Sequence, residues 1–559
     1  MRNTLMVMLV ILSSLLMISC GQNAQEKEMQ KFINEYVSQI EPLEKDAALA
    51  YWEAATTGDE AGYEKYSDLD LQIRTIQSDT AKFAQLVKLR ESRAVTDKQL
   101  ARQMDLIYFA YLPNQINAEL LEKIVRKSSF VEQKFSTFRG EINGKKVSNN
   151  DIETILKSET NSRIRRQAWL ASKQVGAAIA DDVIELVKLR NEAAHNLGFP
   201  NYHTMSLVAS EQDAAELDAI FSELEQLTTA PFAALKAELD EILADMYGVG
   251  VEGLMPWHYH DSFFQETPLV YSLDLDAYYE DKDVVELAQQ FFAGINMPVE
   301  DILKNSDLYE RDGKNPHAFS TDIDRNGDVR ILCNVKNNER WMETMLHELG
   351  HAVYDKYHDP KLPYLLREPA HQFTTEGIAM FFGRLSRNPN WMQQMLGLSD
   401  EQRDEVAKVA GKYMQLKQLI FARWAMVMYN FEKEMYADPD QDLNELWWSL
   451  VERFQMVQKP ARRDAPDWAA KIHIALYPVY YHNYLLGELF ASQMHHYIVH
   501  NILKLENDID VSYVADGDVG IYLKKMIFEP GSEKPWNAMI AEATGEPLSA
   551  GFFVEQFVK

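Results

Sequence analysis

The 559-residue sequence predicts a mainly α-helical fold with one small β-hairpin. Three observations carry that expectation. Only 19 Pro and 24 Gly punctuate the chain, and 46% of it is hydrophobic, enough to bury a large core between long helices. Apolar residues recur at spacings of three and four along most of the length. Strand-like runs around a turn signal stand out only over residues 319–335. The formal charge of −29 argues against nucleic acid or an anionic membrane surface as partner, and is equally the mark of a solvated helical exterior.

The first segment, Met1–Ser19, has one early cation, Arg2, then the apolar run Leu5–Ile18. Such a short run with a basic start reads as a signal peptide and not as a spanning helix. Cys20 directly after it looks like a bacterial lipobox, which implies cleavage before Cys20 and lipidation of its sulfur. Met17 stands at the first lipobox position, so an ordinary anchor or secretory signal is the alternative. The expected organisation is a leader over 1–19, a polar linker over 20–27 and a single large helical domain over 28–559. The expected location is extracytoplasmic, as a bacterial lipoprotein held to its membrane by that anchor alone. Only Cys20 and Cys333 are present, so a lipidated Cys20 excludes an intrachain disulfide, and Cys333 reads as a buried core thiol.

From Glu26 to Ser210 the pattern is helix after helix. Ile73, Ile76, Phe83, Leu86, Val87 and Leu89 predict one; Ile164, Ala168, Trp169, Val175, Ile179 and Val183 predict others. Asn143-Gly144 marks a turn, with Ser148 or Asn150 as cap for the helix that follows. Gly198 and Pro200 end the helix running through Leu189, and His195 in it has no ligand pattern nearby. Leu217, Ile220, Phe221, Leu224 and Leu227 predict another amphipathic helix, which the glycine-rich stretch 247–256 breaks. His258 and His260 lack Cys or carboxylate support and read as part of an aromatic wall. The strands Phe319–Ile323 and Val329–Val335 flank an Asn326-Gly327 turn. Their hairpin is either a receiver of extended peptide by strand addition or a purely structural element.

The stretch that organises the chain follows: His347-Glu348-Leu349-Gly350-His351, then Glu376 beyond a polar connection. Residues four apart on a helix differ by about 40° in direction, so both imidazoles leave one face a turn apart. That spacing suits one tetrahedral zinc ion, with Glu376 as third protein ligand and Glu348 as base for a water. The competing explanation is an accidental pair of core histidines. Against it, Met342, Met345, Leu346, Leu349, Val353 and Tyr354 mark a buried helix face, where two His and a Glu need partners. After Glu376 helices return over Val406–Tyr429 and Leu443–Val457. Lys471, His473, Tyr480, Tyr481 and Tyr484 then supply donors suited to an oxyanion and a substrate carboxylate, with aromatic packing as the competing explanation for any single Tyr.

Together, the zinc motif with Glu376, His317-Ala318 before the hairpin, and Lys471-x-His473 before the tyrosines resemble the angiotensin-converting-enzyme family of zinc peptidyl-dipeptidases. That gluzincin family is related to the oligoendopeptidases and thimet-type oligopeptidases. The resemblance implies two helical lobes around a deep zinc-containing cleft, with the hairpin beside the active-site helix, and oligopeptides as substrates. It implies one Zn2+ on His347, His351 and Glu376, and Glu348 as general base. His317 and the Ala318 backbone would hold substrate, and His473 with Tyr484 would stabilise the oxyanion. Lys471 and Tyr481 would bind the substrate's terminal carboxylate, with Tyr480 as the alternative to Tyr481. Three family positions differ here. The glutamine that helps hold the carboxylate aligns with Tyr259, the aspartate behind the metal with Met380, and the arginine of the chloride site with Asn483. The expected activity is hydrolysis of oligopeptides with release of C-terminal dipeptides. The alternatives are an oligoendopeptidase that cuts internal bonds, and a lipoprotein that captures peptides without cutting them.

Overall fold

A computed structural model describes residues 2–270, 274–507 and 509–558, with side chains from Ala24 onward. The leader and Cys20 therefore lie outside the residues whose side chains are described. Among the described residues no helix is long and apolar enough to cross a membrane.

The chain is mainly helical, as its scarcity of breakers predicts. Helix α1 (Arg2–Thr57) packs along α2 (Glu60–Gln77), and α3 (Thr80–Ser92) follows at once. The single helix expected through Ile73 and Leu89 is thus two. Asp79 accepts from the backbone N–H groups of Ala81 and Lys82 and starts a new helix, a signal that periodicity alone overlooks. These N-terminal helices have a core of their own, built on Phe32, Ile33, Tyr36, Leu86 and Tyr111.

A second correction concerns strands. The Asn143-Gly144 turn closes a short hairpin of β1 (Gly140–Ile142) and β2 (Lys145–Val147), where only a turn was expected. Both turn residues have positive φ, 51° and 78°, as a tight hairpin turn of this kind requires. Ser148 then caps the next helix in a reciprocal pair with Asp151.

Two long helices, α4 (Ser162–Asn196) and α5 (Ala214–Tyr247), carry the chain to the glycine-rich break, where Gly248 stops α5 at φ 62°. The second hairpin joins β3 (Phe319–Asp322) to β4 (Val329–Leu332), antiparallel with Phe319 opposite Leu332. Phe319 packs against Tyr51 and Trp52 of α1, so the N-terminal helices lie over this hairpin. Then come α6 (Glu339–Lys356), α7 (Gln372–Gly383), α8 (Asp400–Ala437), α9 (Leu443–Gln455) and α10 (His482–Tyr497). Met342, Leu346, Leu349, Val353 and Tyr354 of α6 are fully buried, each worth about 1.5–3 kcal/mol of transfer free energy. Cys333 is buried as expected.

Candidate metal centre and peptide cleft

Helix α6 starts where the Asn338 side chain accepts from the backbone N–H of Trp341 at 3.0 Å. It crosses α7 at a point where only glycine fits. A Cβ on Gly350 would lie 2.8 Å from the Cα of Ala379, closer than side-chain carbons approach backbone. Helix α7 meets α10 in the same way, since a Cβ on Gly377 would lie 2.9 Å from the carbonyl oxygen of Gly487. These crossings set Glu376 against the histidines of α6. The Nε2 atoms of His347 and His351 are 3.3 Å apart, and Glu376 Oε2 is 3.8 Å and 3.9 Å from them. A tetrahedral zinc with bonds of about 2.0–2.1 Å spaces its ligand atoms by roughly 3.3–3.5 Å, so a small inward move of Glu376 completes the set.

The electrostatics fit a divalent cation as well. Burial pulls His347 down to about 4 and, with His347 beside it, holds His351 well below the ordinary imidazole range. Both are therefore neutral and have lone pairs to give. Burial, with the charge of Glu488 next, lifts Glu376 to about 7; burial and then Glu376 lift Glu348 to about 8. Neither carboxyl has a Lys or Arg partner among the described residues, and a divalent ion between them would draw both back down. His351 Nδ1 lies 2.8 Å from the Thr375 hydroxyl, which fixes the ring and turns Nε2 toward the other ligands.

His347 also lines a cavity of about 910 Å³, together with Gln265, Lys471, His473, Tyr481 and Tyr484. Lys471 is only 8% exposed. Its ammonium donates to Gln265 Oε1 at 2.5 Å and lies over the rings of Phe263, Trp424 and Tyr481. Burial lowers it to about 8, because no carboxylate balances its charge directly. His473 packs edge-on against Tyr481, has a buried Nδ1 with no partner among the described residues, and is lowered to about 4 by burial and then by Lys471. Tyr481, rather than Tyr480, is the tyrosine beside Lys471; the Tyr480 hydroxyl accepts from Gln372 instead. Glu343, one turn before His347, lines the same cavity; burial would raise it, but Lys417 and Arg387 outweigh that and hold it near 2. His317 is exposed at the hairpin entrance and does not line this cavity, while Ala318 packs against the main core.

The sequence profile of the angiotensin-converting enzyme family matches residues 23–262 and 269–558. The chain belongs to the angiotensin-converting enzyme family. It is 23% identical to angiotensin-converting enzyme of Oryctolagus cuniculus over 95% of its own length, and 22% identical to that of Bos taurus over 84%. It is 20% identical, over 58% of its length, to the inactive angiotensin-converting enzyme-related protein of Caenorhabditis elegans, and covers 40% of that chain. The chain spans only 42% and 38% of the rabbit and bovine relatives.

Against the angiotensin-converting-enzyme pattern, the structure revises one alignment and answers one gap. Tyr259 does not occupy the glutamine's place. It is buried, with its hydroxyl 2.7 Å from the Lys236 ammonium and donating to Asp240. The glutamine beside Lys471 is Gln265, six positions on, in a segment without periodicity to anchor an alignment. Met380 leaves no aspartate behind the metal site, and Thr375 contacts His351 there. Asn483 is buried and accepts from Gln212 at 2.7 Å, outside the cavity.

Proposed function

We propose that this chain is a zinc peptidase that releases dipeptides from the C-terminus of oligopeptides. The observation that carries this reading is the buried Lys471–Gln265 pair, which lines the same cavity as His347. A buried ammonium with one neutral partner is built to receive a carboxylate, and a peptide's terminal carboxylate is the one every substrate offers. One relative is named inactive, so membership alone does not carry activity. Here His347, Glu348, His351 and Glu376 all stand.

His347, His351 and Glu376 would hold the ion, which supplies Lewis acidity toward a carbonyl and lowers the pKa of a nearby water. Glu348 takes a proton from the attacking water and passes it to the departing amine as the C–N bond breaks. His473 and Tyr484 line the cavity as donors to the carbonyl oxygen while it gains negative charge. Lys471, Gln265 and Tyr481 hold the terminal carboxylate and so set the distance from chain end to cleaved bond. Cys20 is the attachment point for lipid, which would place the enzyme at a bacterial membrane, facing outward.

Glu348→Gln tests the reading. The amide is nearly isosteric but accepts no proton, so zinc content should match wild type while kcat falls roughly 10²–10⁴-fold. Peptide hydrolysis within a few-fold of wild type would remove Glu348 from its role. Full zinc with no hydrolysis by the wild-type protein would favour a peptide-binding lipoprotein.

A further inference from the structure

Two cavities flank the candidate metal centre along α6. Glu343 and His347 line the one that contains Lys471. Asp355 lies one turn beyond His351 on the same face, about 6 Å along the axis, and lines a second cavity of about 530 Å³. Ser320, Thr321 and Asp322 of β3 form one wall of it, and residues of α1 and α2 form another. Strand β3 pairs with β4 along one edge only among the described residues, so its other edge has main-chain groups to offer an extended peptide.

We propose that this second cavity is the upstream half of the substrate cleft, and that Asp355 and Asp322 select substrates with a cationic group about two residues before the cleaved bond. The inference rests on the peptidase reading, which sets the direction of the peptide: carboxylate toward Lys471, upstream residues past His351 toward Asp355. At about 3.4 Å per residue, the 6 Å from His351 to Asp355 corresponds to two residues of extended chain.

The charge of the cavity supports it. Arg325 is taken by Glu44 at 2.9 Å and Glu368 at 2.5 Å. Arg367 donates to the carbonyl oxygens of Leu362 and Arg325. Asp322 Oδ1 accepts only from the backbone N–H groups of Asp324 and Arg325. The Asp355 carboxyl has no hydrogen bond or ion pair among the described residues, although it stands in the wall of a partly enclosed cavity. The Ser320 hydroxyl in the same wall is shielded from solvent and also has no partner among the described residues. Burial and then the charges of Asp322 and Glu368 push Asp355 well above the carboxylate range, and burial lifts Asp322 to about 6. Arg325 pulls against that rise but is held by Glu44 and Glu368, so an ammonium or guanidinium from a substrate is the direct counterion that the Asp355 and Asp322 carboxyls lack. The cation has two sources, a Lys or Arg side chain and a free amino terminus at that position.

The test uses full-length protein and free-acid peptides that differ only two residues before the cleaved bond: lysine, glutamine, and a shorter peptide whose amino terminus falls there, free or acetylated. Binding is measured on zinc-loaded Glu348→Gln protein and turnover on wild type. The lysine or free-amine peptide should bind about tenfold or more tightly than its neutral counterpart, and Asp355→Asn should reduce that ratio to within about twofold. A preference for lysine identifies the side chain as source; a preference abolished by acetylation identifies the terminus. Asp322→Asn is the second variant, and thermal unfolding checks that both remain folded. Equal binding of cationic and neutral peptides, or a preference that survives both substitutions, would overturn the inference. Uniform turnover without a cation preference sinks this inference alone, whereas no turnover of any peptide sinks the peptidase reading beneath it.

Discussion

Replacing Lys471 by Met keeps the length of the side chain and removes its charge. The structure gives the ammonium one hydrogen-bond partner, Gln265, and three aromatic faces, so a substrate carboxylate would be its counterion. Deleting one partner of a buried, hydrogen-bonded charge pair costs about 2–5 kcal/mol. That is a loss of roughly 30-fold to several thousandfold in kcat/KM. The assay compares a peptide with its C-terminal amide, following products by mass spectrometry. On wild type the amide should lose what Lys471→Met loses on the acid, and the two losses should not add, because both remove the same contact. Gln265→Leu should cost the acid peptide less, about 0.5–1.5 kcal/mol, as a neutral hydrogen bond does. The same contact sets a pH dependence. Burial lowers Lys471 to about 8, so the charged form holds below that pH and is lost as pH rises through it. The ratio of kcat/KM for acid over amide should therefore fall above about pH 8, and taking the ratio cancels groups that titrate in both. Equal cleavage of both peptides at an interior bond, unaffected by Lys471→Met, would refute the argument and point to an oligoendopeptidase.

Glu376→Ala should weaken zinc binding itself, since one of three protein ligands goes; chelator competition measures it, and unchanged affinity would require another third ligand. Thr375→Val removes the hydroxyl beside His351 Nδ1 while keeping shape, and should lower zinc affinity about 10–100-fold, read by the same competition. Cys20→Ser should abolish incorporation of labelled fatty acid and yield released protein or an uncleaved precursor. Labelling as strong as wild type would refute lipidation there.

The rabbit and bovine relatives are more than twice the length of the chain, so it corresponds to a portion of each.

The sequence by itself determined what depends on near neighbours. His347 and His351 share a helix face because four residues make about one turn, and the surrounding apolar positions bury that helix. The Asn326-Gly327 turn specified its hairpin, and the Asn143-Gly144 turn carried a second one whose three-residue strands are too short for alternation to reveal. Only the tertiary structure decided what depends on distant ones. Gln265 meets Lys471 across 206 positions, and no local pattern marks it. Thr375 carries no local pattern of its own beside Glu376, and it meets His351 only because α7 crosses α6 at Gly350. Asp355 continued a helical face without distinction until β3 and the N-terminal helices enclosed it. Secondary structure follows from short-range sterics and spacing, which a linear reading contains. The partner of a buried charge is set by how whole helices pack, and that information lies in the summed contacts of the core rather than in any one stretch.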